Sequence, residues 1–150
     1  MKIIIQRVKQ ASVKVDGKLI SKINAGFLVL LGVGNKDTED DIKWLVNKLC
    51  NLRVFNDENG KMNLSVKDID GEIIVVSQFT LMASTKKGNR PSYIQAANSD
   101  KSIPLYNNFI SHLTDVLGKE IGTGIFGENM QVALINNGPV TISIDSKNRI

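Results

Sequence analysis

Hydrophobic and polar positions alternate along the first part of the chain, a pattern typical of β-strands. Apolar side chains at alternate positions predict a strand over residues 2–15. The Asp16–Gly17 pair that follows is a strong signal for a two-residue hairpin turn, so we expect the chain to return through residues 19–23. An unbroken apolar run over residues 27–33, bounded by glycines, predicts a third, buried strand.

Two later segments carry apolar residues at the spacing of an amphipathic α-helix. The first helix is predicted to begin at Thr38, which forms an approximate capping box with Asp41, and to end near residue 52. The second is predicted over Ser102–Leu117. Trp44 points away from the apolar stripe of the first helix. We therefore expect it either to pack under a neighbouring loop or to cover part of a subunit interface.

The remaining apolar runs are short and are separated by turn residues. They predict strands over residues 53–55, 62–64, 72–81, 132–135 and 140–144. The last two strands are expected to be separated by Asn136–Pro139, whose residue types favour a turn. Several mostly antiparallel strands with two main helices predict a single mixed α/β domain over residues 1–150, with the helices covering a curved sheet.

The composition is that of an ordinary globular chain. The length of 150 residues and the hydrophobic content of 42% are enough to build one core. Cys50 is the single cysteine, which excludes an intrachain disulfide and a multi-cysteine zinc site, and its helical context predicts a small buried residue. No apolar run approaches the ~20 residues that span a bilayer, and no signal-peptide core is present. The sequence therefore predicts a soluble, cytoplasmic protein.

The positive charge of the chain is unevenly distributed. The formal net charge of +4 weakly favours a polyanionic partner. Lys86, Lys87 and Arg90 cluster within a predicted polar loop over residues 83–92, whereas acidic residues concentrate elsewhere. The sequence thus predicts a local basic loop.

Common catalytic machinery is scarce in this sequence. The single histidine, His112, lies on the flank of the second predicted helix, and we expect it to have no catalytic role. The alternative is a serine or threonine hydrolase that pairs His112 with Ser77 or Thr80. No His and carboxylate residues cluster at metal-ligand spacing, so no metal is expected. Gly32–Gly34 completes neither a dinucleotide fingerprint nor a phosphate-binding loop, so no cofactor is expected.

Two polar segments lie where predicted strands end. Ser77-Gln78-Phe79-Thr80 could be the solvated rim of its strand or the mouth of a pocket. Asn137-Gly138-Pro139-Val140-Thr141 could be a simple hairpin turn. Its Gly-Pro bond could also be cis, and the sequence alone leaves the isomer open.

Taken together, these two segments resemble the signature motifs of the D-aminoacyl-tRNA deacylases. Three further segments are also similar to that family, namely Gln6-Arg7-Val8 followed by Ala11-Ser12-Val13, Gly60–Ser65 and Lys87–Pro91. The resemblance covers essentially the whole chain in order. Met82 stands where an aromatic residue is common in the family, and Asn137 stands where aspartate is expected.

The resemblance implies an enzyme that hydrolyses the ester between a D-amino acid and the 3′ end of tRNA. It implies a barrel-like, largely antiparallel sheet covered by two main helices, and a homodimer whose two active sites lie at the subunit interface. Gly138–Pro139 would be a cis bond that reaches into the partner's pocket. Its carbonyl groups would exclude an L side chain, whereas a D side chain or a glycine residue would pass. No membrane or DNA partner is implied.

The resemblance also implies roles for individual residues. Ser77, Gln78, Phe79 and Thr80 would line the terminal adenosine and the scissile ester, with backbone N–H groups at Phe79 and Thr80 as oxyanion donors. Met130 would form a wall of the adenine slot, and Arg7 would brace the Gly-Pro loop, which also contains Asn137, Val140 and Thr141. The acceptor-stem phosphates would be contacted by Lys86, Lys87 and Arg90.

Two questions stay open at the level of sequence. Thr80 could act as a nucleophile, or the 2′-hydroxyl of the substrate could assist attack by water. A non-catalytic RNA-binding module is the rival function, favoured by the basic loop but disfavoured by the 5% aromatic content.

Overall fold

Eight strands and two helices follow one another in the computed structural model, which describes residues 1–150. The elements are β1 (Lys2–Val15), β2 (Lys18–Ile23), β3 (Gly26–Gly32), α1 (Glu39–Asn51), β4 (Phe55–Asn56), β5 (Met62–Leu64), β6 (Glu72–Ser77), a 3₁₀ turn (Phe79–Met82), α2 (Ser99–Leu117), β7 (Gly122–Thr123) and β8 (Gln131–Asp145).

The long strand β1 organises the sheet. One of its edges pairs antiparallel with β8, and its other edge pairs antiparallel with β3 and then with β2. β3 continues in parallel to β6, and β6 in parallel to β7. The Ser21 hydroxyl on β2 donates a hydrogen bond of 2.7 Å to the Thr123 carbonyl on β7, so the sheet almost closes into a barrel. The mixed α/β class and the barrel-like sheet predicted above are confirmed.

The sheet separates two apolar clusters, and alternation along the strands explains how. On β3, Phe27 and Val29 face the larger cluster, which α1 and α2 complete, whereas Leu28 faces the interior of the barrel. β3 and β6 are therefore buried on both faces, which is why they are continuously apolar in sequence. Cys50 is buried in the larger cluster, as predicted.

Three of the predicted strands are wrong in extent. The strand predicted over residues 72–81 ends at Ser77, and a 3₁₀ turn replaces its last part. The two strands predicted over 132–135 and 140–144 are one strand, β8, because both halves pair with β1. Asn137–Val140 is therefore a bulge within β8 and not a turn between strands, and it stands opposite the single residue Arg7.

The helices lie close to their predicted positions. The Thr38 backbone N–H donates to the Asp41 carboxylate at 2.8 Å and precedes α1, while α2 begins three residues earlier than predicted. Trp44 packs under the end of the chain, where the Arg149 guanidinium lies 4.4 Å from its ring centroid. Neither helix has an apolar stretch of the length that crossing a membrane requires.

Candidate active site

A cavity of about 480 Å³ lies where the parallel strands β3 and β6 end. The amino-terminal part of α2 forms one wall, and the start of β8 forms another. The carboxyl ends of parallel strands are a common place for ligand sites, because the chain leaves the sheet there and exposes polar groups. Of the residues predicted for the site, Ser77, Gln78, Phe79 and Met130 line this cavity.

The end of β6 presents unpaired backbone donors beside the cavity. The Gln78 N–H still pairs with the Leu31 carbonyl at 2.8 Å, which is the last link to the sheet. The 3₁₀ turn then begins, and the first N–H groups of such a turn have no partner within it. Accordingly, neither the Phe79 nor the Thr80 N–H makes a hydrogen bond in the chain. Two adjacent free donors of this kind can bind an oxyanion.

The side chains of the same segment point in different directions. The Gln78 amide donates a hydrogen bond of 2.5 Å to the Thr80 hydroxyl oxygen. Thr80 is exposed and lies outside the cavity lining. Phe79 is 56% exposed, and its ring meets the Tyr93 ring edge to face at 4.9 Å. Strand alternation does not continue through this segment, because β6 ends at Ser77.

The helix wall contributes a polar group that the sequence analysis missed. Ser102 is only 6% exposed, and its hydroxyl makes no hydrogen bond within the chain. Every fully buried side-chain polar atom in the structure has a hydrogen-bond partner, so the unpartnered Ser102 hydroxyl is not fully buried. Because Ser102 lines the cavity, its hydroxyl is open to the cavity. Its sequence signal was its position four residues before Tyr106, on the apolar stripe of the helix.

The rings of Tyr106 and Phe126 continue this wall and meet edge to face at 5.8 Å. The Tyr106 hydroxyl donates to the Val75 carbonyl at 2.7 Å, which ties α2 to β6. Burial raises the pKa of Tyr106 to about 12, so the phenol stays neutral at any physiological pH. Tyr106 is therefore a structural donor and not an acid or base.

Most of the charged side chains near the cavity lie outside its lining. No lysine, arginine or histidine lines the cavity, and Glu128 is the single carboxylate that does. The predicted cations Lys86, Lys87 and Arg90 are all exposed on the loop that follows the 3₁₀ turn. Backbone hydrogen bonds between Ser84 and Ser92 close the base of this loop. The cavity lining thus carries one carboxylate and no cation, and the cations lie on the loop that follows the 3₁₀ turn.

The Gly138–Pro139 bond is cis and lies at the tip of the bulge in β8, with both residues exposed. Gly138 has a φ of +141°, in the region that favours glycine. A Cβ atom there would lie 2.8 Å from Arg7 Nη2 and 2.9 Å from Val140 Cγ2. Glycine is therefore required at this position by both conformation and space.

Arg7 supports the bulge from beneath. It is 7% exposed, and its Nε donates to the Asn137 carbonyl at 2.7 Å while Nη1 donates to the Val54 carbonyl at 2.6 Å. A longer bond of 3.3 Å joins Nη1 to Asn56 Oδ1. No carboxylate pairs with this guanidinium. The buried cation is instead held by backbone carbonyls, which fixes the bulge to β1 and to the segment after α1.

Asn136 holds the bulge from its other side, and the sequence analysis did not single it out. Its side-chain oxygen accepts from the Val140 N–H at 2.8 Å, and its nitrogen donates to the Thr141 hydroxyl at 2.9 Å. The two bonds span the residues between them, so the amide closes the neck of the bulge. Val140 and Thr141 take part as backbone donor and hydroxyl acceptor.

Within one chain the bulge and the cavity are separate. Pro139 lies nine residues beyond the cavity residue Met130 along β8, and neither Gly138 nor Pro139 lines the cavity. The structure thus brings Arg7 and Asn137 to the Gly-Pro dipeptide. Neither these two residues nor the dipeptide itself lines the cavity. His112 is also outside the lining, ten residues beyond Ser102 on α2 and about 15 Å further along its axis.

The sequence profile of a known family extends over nearly the whole of this fold. The profile described as D-Tyr-tRNA(Tyr) deacylase matches residues 4–145. The chain belongs to this deacylase family. A D-aminoacyl-tRNA deacylase of Flavobacterium psychrophilum is 61% identical over 149 residues, 99% of each chain. One of Bacteroides thetaiotaomicron is 55% identical over 149 residues, again 99% of each chain.

Two solved structures share the fold of this chain over almost its whole length. One named "c-Myc DNA Unwinding Element Binding Protein" has a TM-score of 0.92 and 44% identity, covering 97% of this chain and 98% of that one. A probable eukaryotic D-amino acid tRNA deacylase has a TM-score of 0.81 at 16% identity, covering 95% and 97%, and is similar in fold. The predicted family and the predicted class of ester-hydrolysing enzyme are confirmed.

Proposed function

We propose that this chain hydrolyses the ester between a D-amino acid and the 3′-terminal adenosine of tRNA, and that it also accepts glycine mischarged on tRNA. The observation that carries the proposal is the pair of free N–H groups at Phe79 and Thr80, at the edge of a cavity that no cationic side chain lines. This segment also carries the family motif. The products are free tRNA and the free amino acid.

The cavity supports a position for the terminal adenosine. A nucleoside without its phosphate is uncharged, and the lining contains no cationic side chain that would be left without a counter-ion. Met130 and Phe126 supply apolar surface for the base. The scissile ester would then lie next to the Phe79 and Thr80 N–H groups.

Hydrolysis itself requires a nucleophile, a stabilised oxyanion and a proton for the leaving oxygen. Water attacks the ester carbonyl, the C–O bond to the ribose breaks, and the proton of the attacking water passes to the leaving ribose oxygen. Each oxyanion donor of this kind contributes about 10²–10³ in rate. The Thr80 hydroxyl accepts from the Gln78 amide, which cannot act as a base. This favours attack by water, assisted by the substrate's own 2′-hydroxyl, over a threonine nucleophile.

The chiral filter would be completed by a second copy of the chain. Gly138–Pro139 is exposed and does not line the cavity of its own chain. A twofold dimer would bring each dipeptide to the partner's cavity and give two equivalent sites. The carbonyls of the dipeptide would exclude an L side chain, while Arg7 and Asn136 hold it in place.

The remaining proposed features concern the rest of the tRNA. Lys86, Lys87 and Arg90 would contact phosphates of the acceptor stem, because they are exposed on the loop nearest Phe79. Such contacts position RNA without reading its sequence. A cytoplasmic location fits a substrate that is used in translation.

The decisive experiment compares hydrolysis of D-tyrosyl-tRNA and L-tyrosyl-tRNA, without added metal, by the wild type and by Pro139→Ala. We expect rapid loss of the D ester alone and impaired discrimination in the variant. Sedimentation of both proteins reports the dimer. Equal rates on both esters, or no hydrolysis of either, would contradict the proposal, and tight tRNA binding without hydrolysis would favour a non-catalytic RNA-binding module.

A further inference from the structure

One polar group of the cavity lining is both buried and free of hydrogen bonds within the chain. The Tyr106 hydroxyl and the Gln78 amide already make hydrogen bonds to other residues of the chain. The other polar residues of the lining are half-buried or exposed, namely Ser77, Asn98, Ser99 and Glu128. Ser102 differs from all of these, because it is 6% exposed and its hydroxyl has no partner in the chain.

The helix itself does not satisfy the Ser102 hydroxyl. A serine or threonine inside a helix can donate its hydroxyl proton to the carbonyl four residues before it. Thr114 on α2 does so, with a bond of 2.8 Å to the Ile110 carbonyl. For Ser102 that carbonyl belongs to Asn98, and it already accepts the backbone N–H groups of Lys101 and Ser102 at 3.2 Å and 2.8 Å. The hydroxyl therefore keeps both its donor and its acceptor for a ligand.

Ser102 lies next to the apolar wall that the proposed function assigns to the base. Tyr106 follows Ser102 by one helical turn on the same side of α2. The Tyr106 ring meets the Phe126 ring edge to face at 5.8 Å, and Phe126 lines the cavity together with Met130. The free hydroxyl and the wall for the base are thus neighbouring parts of one cavity.

The two ends of the nucleoside have different places in this cavity. The ribose carries the ester, so it must lie at the Phe79 and Thr80 N–H groups, at the end of β6. The base is then the part of the nucleoside that is left for the wall formed by α2. A base that fills this space displaces water from the Ser102 hydroxyl, and a buried hydroxyl without a partner is costly. The ring nitrogens of adenine are acceptors that can replace that water.

We propose that the Ser102 hydroxyl donates a hydrogen bond to a ring nitrogen of the terminal adenine and so fixes the base in the cavity. This inference rests on the proposed function, because the terminal adenosine must occupy the cavity. The base does not change during hydrolysis, so the bond is equally strong in the ground state and in the transition state. Ser102 therefore acts on KM and not on kcat.

The test combines one variant with substrates that differ in single atoms of the base. The substrates are the D-tyrosyl esters of adenosine and of 1-deaza-, 3-deaza- and 7-deaza-adenosine, each of which replaces one ring nitrogen by C–H. The proteins are the wild type, Ser102→Ala and the matched control Ser111→Ala. Ser111 is exposed on the same helix and does not line the cavity. Each pair is assayed for kcat and KM, and a thermal melt checks the fold of each protein.

We expect Ser102→Ala to raise KM for the adenosine ester by about 3- to 10-fold and to leave kcat within about twofold. In the wild type, one of the deaza substitutions should raise KM by a similar factor. On that analogue Ser102→Ala should cause no further loss, because the same bond is already missing. On the other two analogues the variant should lose its full factor, and Ser111→Ala should match the wild type throughout.

Three outcomes would overturn the inference. Losses from the variant and from the analogue that simply add for every deaza ester would show that the hydroxyl does not contact a ring nitrogen. An unaltered KM for the adenosine ester would show that the hydroxyl makes no contact that contributes to binding. A loss in kcat with an unaltered KM would assign Ser102 to the chemical step.

The two proposals fail in different ways. If the wild type hydrolysed neither D-tyrosyl-tRNA nor the adenosine ester, the proposed function would be wrong. The contact would still be decided by the Kd values of adenosine and its deaza analogues for the wild type and Ser102→Ala, measured by NMR titration. Those values do not depend on hydrolysis, and the same pattern of non-additive losses is expected in them.

Discussion

Replacing Asn136 by alanine tests whether the shape of the bulge sets the preference for D substrates. The substitution removes the acceptor of the Val140 N–H and the donor to the Thr141 hydroxyl, at 2.8 Å and 2.9 Å. Each neutral hydrogen bond contributes about 0.5–1.5 kcal/mol, and a partly buried N–H left without an acceptor costs somewhat more. The two effects together disfavour the native bulge by about 2 kcal/mol.

A cost of about 2 kcal/mol corresponds to roughly a 30-fold change in an equilibrium constant. We therefore expect the ratio of kcat/KM on D-tyrosyl-tRNA to that on L-tyrosyl-tRNA to fall by between about 10-fold and 30-fold in Asn136→Ala. The melting temperature should fall by about 4–8 °C. Single-turnover hydrolysis of both esters, with a thermal melt of each protein, measures these quantities.

Two further variants separate the role of the bulge from a general loss of stability. Asn136→Asp keeps an acceptor for the Val140 N–H and lets the Thr141 hydroxyl donate instead, so it should restore most of the discrimination. Asn51→Ala removes an exposed amide that also makes two hydrogen bonds, but on α1, and should leave the D-to-L ratio unchanged. A stability loss in Asn136→Ala with an unaltered ratio would refute the reasoning.

Three other predictions concern α2. His112→Ala should keep the deacylation rate within about twofold, because His112 lies outside the cavity lining; loss of activity would instead support a hydrolase that uses this histidine. Ser102→Ala should raise KM by about 3- to 10-fold with little change in kcat, since one neutral hydrogen bond to the substrate is lost. An unaltered KM would mean that the buried hydroxyl does not touch the substrate. Tyr106→Phe should lower the free energy of unfolding by about 1 kcal/mol in denaturant titrations, because the bond to the Val75 carbonyl is lost.

The pKa of Tyr106 adds a pH dependence to this last prediction. Its folded value of about 12 lies above the ordinary value of 10.0, so the neutral phenol is favoured in the folded state. The stabilisation it provides is fully present below pH 10 and is lost as pH rises toward 12. Tyr106→Phe should therefore flatten the stability profile in that window, and an unchanged profile would contradict the burial argument.

Local patterns determined those parts of the fold that depend on neighbouring residues. Asp16 and Gly17 both have positive φ, at 48° and 76°, as the two-residue hairpin turn requires. The apolar stripes predicted both helices, because helical spacing and end signals are properties of a short segment. The motifs around Ser77 and Gly138 were sufficient to indicate the family, because they consist of residue types in sequence order.

Long-range pairing decided what local patterns left open or predicted wrongly. Asn137–Val140 has the residue types of a turn, yet it forms a bulge, because β1 is long enough to pair with β8 on both sides of it. Arg7 could be assigned to the Gly-Pro loop only by resemblance, since the two segments are 130 residues apart and meet only through that pairing. Ser102 was not predicted as a site residue, because a single serine on an apolar helix face does not indicate a site in sequence. Only the cavity beside it in the folded structure does so.

The division between sequence and tertiary structure has one physical cause. Sequence by itself indicated both helices, most of the strands, the motifs and the family of this protein, because backbone preferences and hydrophobic periodicity act over a few residues. Only the tertiary structure decided that Ser77 and Ser102 share a cavity and that Gly138–Pro139 does not line it. These relations depend on which distant strands pair and in which register, and that choice is made by the packing of the whole chain.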